Sequence, residues 1–212
     1  MEHFLFDLDG TLTDPGLGIT NSIMYSLKPF GIEVSDRREL YVCIGPPLID
    51  CYMKLWGFSL EDAKKALSVY REYFSVKGLF ENEVYDGIED VLASLKNAGK
   101  RIYLATSKPE IYAKQILEHF GLLKYFDFVA GNTLDESRPK KSDVIKYIMQ
   151  KFPEINACNA IMIGDRKYDI EGARECSLDA VGVLYGYGNR EELEGAKYLA
   201  QDPRELKNIL LK

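Results

Sequence analysis

Apolar residues along this chain follow three successive patterns. The run His3-Phe4-Leu5-Phe6-Asp7-Leu8 has no helical period and is closed by Asp9-Gly10. It predicts a buried strand ending near Asp7, followed by a turn. From about Gly16 to Lys77 the apolar positions recur at helical spacing: Ile19, Ile23, Met24 and Leu27, then Leu48, Tyr52 and Leu55, then Ala63, Ala66, Leu67, Tyr70 and Phe74. Gly31, Gly45-Pro46-Pro47 and Gly57 punctuate that stretch, and no strand is predicted in it. A small helical bundle is expected there.

From Asp86 onward the two periods alternate. Helices are predicted over residues 88–98, 110–120, 141–152 and 169–176, and strands over 101–106, 126–130, 159–164 and 180–183. Such alternation implies a doubly wound parallel sheet covered on both faces, a Rossmann-like α/β core. The first strand shares the texture of these strands, so the helical stretch is an insertion. The expected organisation is a core of residues 1–15 and 84–212 with an all-α cap of residues 16–83.

Ligands of open parallel sheets sit beyond the carboxyl ends of the strands. Here that rule selects Asp7 and Asp9, Thr106 and Ser107, and Gly164 and Asp165. Asp7-Leu8-Asp9-Gly10-Thr11 places two carboxylates on one side of extended backbone, and Gly10 lets the chain turn and bring amides near a ligand. One carboxylate can attack phosphorus and form an aspartyl-phosphate. The other can protonate the leaving oxygen and then deprotonate water. The blander alternative is a pair of turn acids, since Asp-Gly is a common turn.

Gly164-Asp165-Arg166-Lys167-Tyr168-Asp169 adds two acids at spacing i,i+4, expected next to each other on a helix face; a helix cap is the competing explanation. Thr106 or Ser107 can donate a hydroxyl to phosphate at a helix start, and Ser107 could equally cap that helix. Arg138-Pro139-Lys140-Lys141 precedes another helix, and a lysine there could balance phosphoryl charge; a solvated basic loop would look the same.

Charge sharpens this picture. The net charge of −6 over 212 residues argues against a nucleic-acid groove. An acidic protein that handles an anion must attract it locally. Four acids would repel a phosphate unless a hard cation intervened, and Mg²⁺ takes oxygen ligands octahedrally. The expected ligands are Asp7, Asp9 through its backbone carbonyl, and Asp165, with Asp169 behind them or bridged by water.

Cys43, Cys51, Cys158 and Cys176 form no CxxC pair and lie near no histidine, so packed thiols are expected rather than a zinc site. No apolar run approaches the roughly 20 residues of a membrane span, and the first residues lack a signal-peptide pattern. A soluble cytoplasmic protein, monomer or homodimer, is expected, with a small phosphorylated metabolite as partner and neither nucleic acid nor membrane.

With Asp7-Leu8-Asp9-Gly10-Thr11-Leu12, Thr106-Ser107, a following lysine, and Gly164-Asp165 with Asp169 in this order, the chain resembles the haloacid dehalogenase superfamily, in its phosphoglycolate phosphatase-like branch with an inserted helical cap. The likeness runs from Asp7 to about Val183. It implies Asp7 as nucleophile, Asp9 as general acid/base, Thr106 as phosphate ligand, a lysine orienting nucleophile and phosphate, and Asp165 and Asp169 completing a magnesium site. Lys141 is the preferred lysine because it stands directly before the expected helix at Ser142-Asp143, with Lys140 the runner-up. The third motif departs from the family's usual Lys-Pro order, and Asp14-Pro15 from its usual Asp-Ser. The substrate implied is phosphoglycolate-like or a nucleoside monophosphate. A sugar-phosphate mutase would share the scaffold, but Thr11 is more typical of the phosphatases. A dehalogenase would not need Asp9, and a binding module without catalysis would be expected to have lost Asp7 or Asp9.

Overall fold

The computed structural model describes residues 1–135 and 137–212. The chain divides into two compact units, one of residues 1–13 and 84–212 and the other of residues 14–83. The larger unit is built on a six-stranded, wholly parallel sheet. Its strands are β1 (His3–Phe6), β4 (Arg101–Pro109), β5 (Phe128–Asn132), β6 (Ala160–Gly164), β7 (Asp179–Val183) and β8 (Tyr198–Ala200), in the order β5-β4-β1-β6-β7-β8. Two-residue strands β2 (Thr13–Asp14) and β3 (Glu83–Val84) form a separate small sheet.

Strand register explains which residues face which helices. Tyr103, Leu5, Met162 and Ala180 lie side by side across four strands, with Phe128 beyond Tyr103. They share one core with Val144, Ile145 and Ile148 of α6 (Lys141–Lys151) and Ile170 and Ala173 of α7 (Lys167–Glu175). The next row, Val129, Leu104, Phe6, Ile163 and Val181, points to the other face because successive strand residues alternate. Helix α4 (Ile88–Asn97) packs on β4 and on α8 (Pro203–Leu210), and α5 (Glu110–His119) packs on β4 and β5. Asp7 follows Leu5 by two residues, so the same alternation aims it at the side covered by α6 and α7.

The smaller unit holds α1 (Gly16–Leu27), α2 (Leu48–Trp56) and α3 (Leu60–Tyr73), with α3 packed against both others. Ile19, Ile23, Leu27, Leu40, Ile44, Tyr52, Ala63, Ala66 and Tyr70 are among its buried residues. Tyr52 and Ser26 hydroxyls hydrogen bond inside it at 2.5 Å. Asp14 accepts the Gly16 N–H at 2.9 Å and so serves the start of α1, with Pro15 between them. Pro47 stands at the N-cap of α2, after Gly45 at φ +104°. No helix among the described residues is long and apolar enough to cross a membrane.

Two expectations need correction. Ser107 does not cap a helix: β4 runs on to Pro109, which is itself the N-cap of α5. Asp165 and Asp169 do not share a helix face either. Asp165 follows β6 directly and lies outside α7, while Asp169 occupies the helix's first turn. The edge strand β8 and helix α8 were not predicted.

The lateral row of apolar residues makes Met162 a sensitive reporter, since it is fully buried on a central strand. Met162→Ala is expected to cost about 2–5 kcal/mol from lost burial and a residual cavity. A urea titration should show the midpoint falling with little change in slope.

Candidate active site

The carboxyl ends of β1, β4 and β6 are neighbours in the sheet, and the acids selected above gather there. Asp7 is 6% exposed, Asp165 0% and Asp169 1%. Each offers a carboxylate oxygen, and these oxygens lie within 4.8 Å of one another. Lys141, the first residue of α6, is buried among them. Its Nζ stands 2.7 Å from Asp7 Oδ1 and 2.8 Å from Asp169 Oδ1. Lys141 also donates a hydrogen bond to the Ala105 carbonyl at 2.8 Å, where the regular pairing of β4 with β5 stops. Its contacts with the two carboxylates are ion pairs rather than aligned hydrogen bonds. Lys140 is exposed; its backbone N–H donates to the Asp143 carboxylate, and its carbonyl accepts the Asp143 and Val144 N–H groups at the start of α6.

Glycines allow this crowding. Gly10 has φ +83°, and a Cβ there would stand 2.1 Å from Asp165 Oδ2. Asp165 is held by the Tyr187 N–H on Oδ2 at 2.8 Å and by the Thr11 hydroxyl on Oδ1 at 3.3 Å. Asp169 accepts the Arg166 N–H at 3.0 Å, closing the first turn of α7. Asp9 meets a different cation: Lys108 Nζ lies 2.5 Å from Asp9 Oδ2. Thr106 is buried at the end of β4 and its Oγ1 accepts the Lys108 N–H at 3.2 Å. Ser107 is half-buried.

The electrostatics follow from burial of like charges. Desolvation, with the charges of Asp169 and Asp7 added, pushes Asp165 well above the usual carboxylate range. Desolvation and the Asp7 charge raise Asp169 to about 6, against the pull of Lys141. Burial also raises Asp9, although Lys108 opposes it. For Lys141 burial acts downward, but Asp169 and Asp7 outweigh it and hold the ammonium charged.

Three buried carboxylates around one ammonium are short of positive charge, and hard oxygen donors in such number suit a divalent cation. The same arrangement presents a carboxylate fixed by a lysine, a second acid two residues along, and a hydroxyl on the neighbouring strand. It can perform nucleophilic substitution with acid/base assistance.

Sequence reasoning placed Asp7, Asp9, Gly10, Thr106, Lys141, Asp165 and Asp169 at this end of the sheet. It missed Lys108 and the Tyr187 amide. Gly186 and Gly188 flank Tyr187, and a Cβ on either would collide with Asp165. The Gly186-Tyr187-Gly188 spacing was thus the available signal for a close backbone approach.

A profile of the haloacid dehalogenase-like hydrolase family matches residues 4–183. Over 191 residues the chain is 42% identical to a 5′-nucleotidase of Pseudomonas aeruginosa, covering 90% of this chain and 86% of that protein. It is 36% identical over 190 residues to the tyrosine-protein kinase PtkA of Mycobacterium tuberculosis; the match covers 90% of this chain but 64% of PtkA. It superposes on the crystal structure of a predicted phosphatase from Clostridium acetobutylicum with a TM-score of 0.95 at 48% identity, covering 99% and 98% of the two chains.

The tight fit at Gly10 is open to a controlled test. Gly99 has a similar φ of +72° but nothing within 4 Å of its added Cβ. Gly99→Ala should therefore cost only the left-handed strain of about 1–2 kcal/mol. Gly10→Ala adds an overpacking cost of about 1–3 kcal/mol, and urea titrations of the two variants should show that difference.

Proposed function

This chain belongs to the haloacid dehalogenase-like hydrolase family and is a phosphoric monoester hydrolase of it, and from that premise we propose that it hydrolyses a small phosphomonoester through a phospho-aspartate at Asp7. The observation that carries this is the buried cluster of Asp7, Asp165 and Asp169 around Lys141. Asp7 Oδ attacks phosphorus while the bond to the ester oxygen breaks, and Asp9 gives that oxygen its proton, releasing the alcohol. Asp9 then takes a proton from water as the water oxygen attacks phosphorus. The bond to Asp7 breaks, leaving inorganic phosphate and the free carboxylate. One ester and one water thus become one alcohol and one phosphate.

Lys141 holds Asp7 in place and keeps a positive charge beside the phosphoryl group. Thr106, Ser107 and the backbone at Gly10 receive the phosphoryl oxygens. Asp7, the Asp9 carbonyl and Asp165 are the ligands proposed for Mg²⁺, with Asp169 behind them. When bound, Mg²⁺ offsets the clustered negative charge and draws electron density from the phosphoryl oxygens.

Nucleoside 5′-monophosphates are the first substrates proposed, because the relative at 42% identity is named a 5′-nucleotidase. Phosphoglycolate-like esters come second, from the sequence resemblance. The proposed core of residues 1–15 and 84–212 would carry the phosphoryl chemistry and a cap of residues 16–83 the choice among alcohols.

Release of inorganic phosphate from a panel of such esters tests the activity. Asp7→Asn should lower turnover at least about 1,000-fold, since a covalent route is worth several kcal/mol at about 1.4 kcal/mol per factor of ten. Turnover kept within about tenfold of the parent would remove Asp7 from the nucleophile's role. Activity should also vanish in excess EDTA and return with Mg²⁺. Ca²⁺ should fail to restore it, because its looser coordination lets a carboxylate bind through both oxygens and lose its attacking position. Full turnover in EDTA would sink the metal assignment.

A further inference from the structure

We propose that Lys108 is a positioning residue that fixes the Asp9 carboxylate for proton transfer, which rests on the acid/base role proposed above for Asp9. The two residues are 99 apart in sequence, yet Lys108 Nζ lies 2.5 Å from Asp9 Oδ2. Their side chains are 6% and 13% exposed. An ammonium so buried is costly unless paired, and so is the carboxylate it faces. Each therefore holds the other in one geometry.

The backbone around Lys108 is arranged to permit this contact. Strand β4 pairs regularly with β5 through Ala105, then shifts register before Pro109. Within that shift the Lys108 N–H donates to Thr106 Oγ1 at 3.2 Å. Lys108 is thus tied at its backbone to the hydroxyl at the strand end and at its tip to Asp9. Surface lysines keep rotamer freedom; this one has given it up.

Clamping is confined to one oxygen of Asp9. Oδ2 carries the ion pair, whereas Oδ1 is buried without a hydrogen bond among the described residues. Oδ1 is the atom available to carry a proton to the ester oxygen and later to take one from water. Without Lys108 the carboxylate can rotate about its χ angles, and the two oxygens lose their distinct places. Proton transfer depends on heavy-atom reach of about 2.6–3.2 Å, so that freedom should slow the steps that move a proton.

Leaving-group chemistry reads this role directly. Nitrophenolate departs without a proton, whereas an alkoxide requires one. Asp9→Asn, Lys108→Met and the double variant are compared on p-nitrophenyl phosphate, followed by its pre-steady-state burst, and on an alkyl phosphate. Asp9→Asn should slow the alkyl ester by about 100-fold or more and the nitrophenol burst far less. Lys108→Met should show the same asymmetry in smaller measure. The double variant should be within about threefold of Asp9→Asn alone, because the group being positioned is already gone.

Losses that multiply in the double variant, or a burst from Lys108→Met slowed as much as the alkyl ester, would assign Lys108 to the phosphoryl group and overturn the positioning role. Should Asp9→Asn itself show no asymmetry, the acid/base role of Asp9 falls, and the role of Lys108 falls with it. Circular dichroism checks each fold, and Lys108→Gln gives the same comparison if Lys108→Met does not fold.

Discussion

Burying several carboxylates in one place is the constraint from which the rest of this site follows. Asp7, Asp165 and Asp169 are nearly inaccessible to water and close enough to repel one another. Leaving such charges unpaired in a protein interior costs several kcal/mol each. The fold answers with Lys141, inserted from the start of α6 and tied to β4 through the Ala105 carbonyl. Three elements are thereby linked through a single ammonium: β1 through Asp7, β4 through that carbonyl, and α7 through Asp169. The answer is incomplete: that ammonium pairs with Asp7 and Asp169, while Asp165 is held by neutral donors, the Tyr187 N–H and the Thr11 hydroxyl. Burial, with the neighbouring carboxylate charges added, raises the proton affinity of Asp165 and Asp169.

Close approach of the carboxylates also dictates the glycines. Side chains on Gly10, Gly186 or Gly188 would intrude on Asp165, and one on Gly164 would meet Asp169. The loop after β7 supplies the Tyr187 N–H that holds Asp165, so the glycines on either side serve a hydrogen bond rather than a turn alone. Thr11 supplies the second hold on Asp165 through its hydroxyl. An apolar side chain at that position could not make that hydrogen bond.

Much of this was legible in the sequence because local pattern determined it. The β1 run, the helical spacing of residues 16–77 and the alternation after Asp86 each reflect a period that burial imposes over a few residues. The strand-end rule then collects Asp7, Thr106 and Asp165 without knowledge of any contact. What remained hidden depended on long-range geometry. A spacing of i,i+4 suggested that Asp165 and Asp169 share a helix face, but α7 begins at Lys167, so they meet across a strand-to-helix turn. Ser107 looked like a cap because its hydroxyl suits that role, yet the register shift in β4 carries the strand past it. Lys108 resembled any lysine beside a proline, and only the pairing of β1 with β4 brings it to Asp9. Strand β8 is three residues long and too short to impose a period.

Two aspartates two residues apart thus acquire different partners from different parts of the fold. Asp7 is met by Lys141 from the start of α6, and Asp9 by Lys108 from the end of β4. Chemically identical groups can do different work when their surroundings differ. Asp7 shares its ammonium with Asp169, in a cluster whose other members are also acids, which suits the attack on phosphorus proposed for it. Asp9 has an ammonium against one oxygen, while its other oxygen has no hydrogen bond among the described residues, which suits the proton transfer proposed for it. The division of labour proposed between nucleophile and acid/base therefore does not reside in the Asp-Leu-Asp sequence itself. It comes from two lysines at the carboxyl end of the sheet, Lys141 from the start of α6 and Lys108 from the end of β4, one meeting each carboxylate.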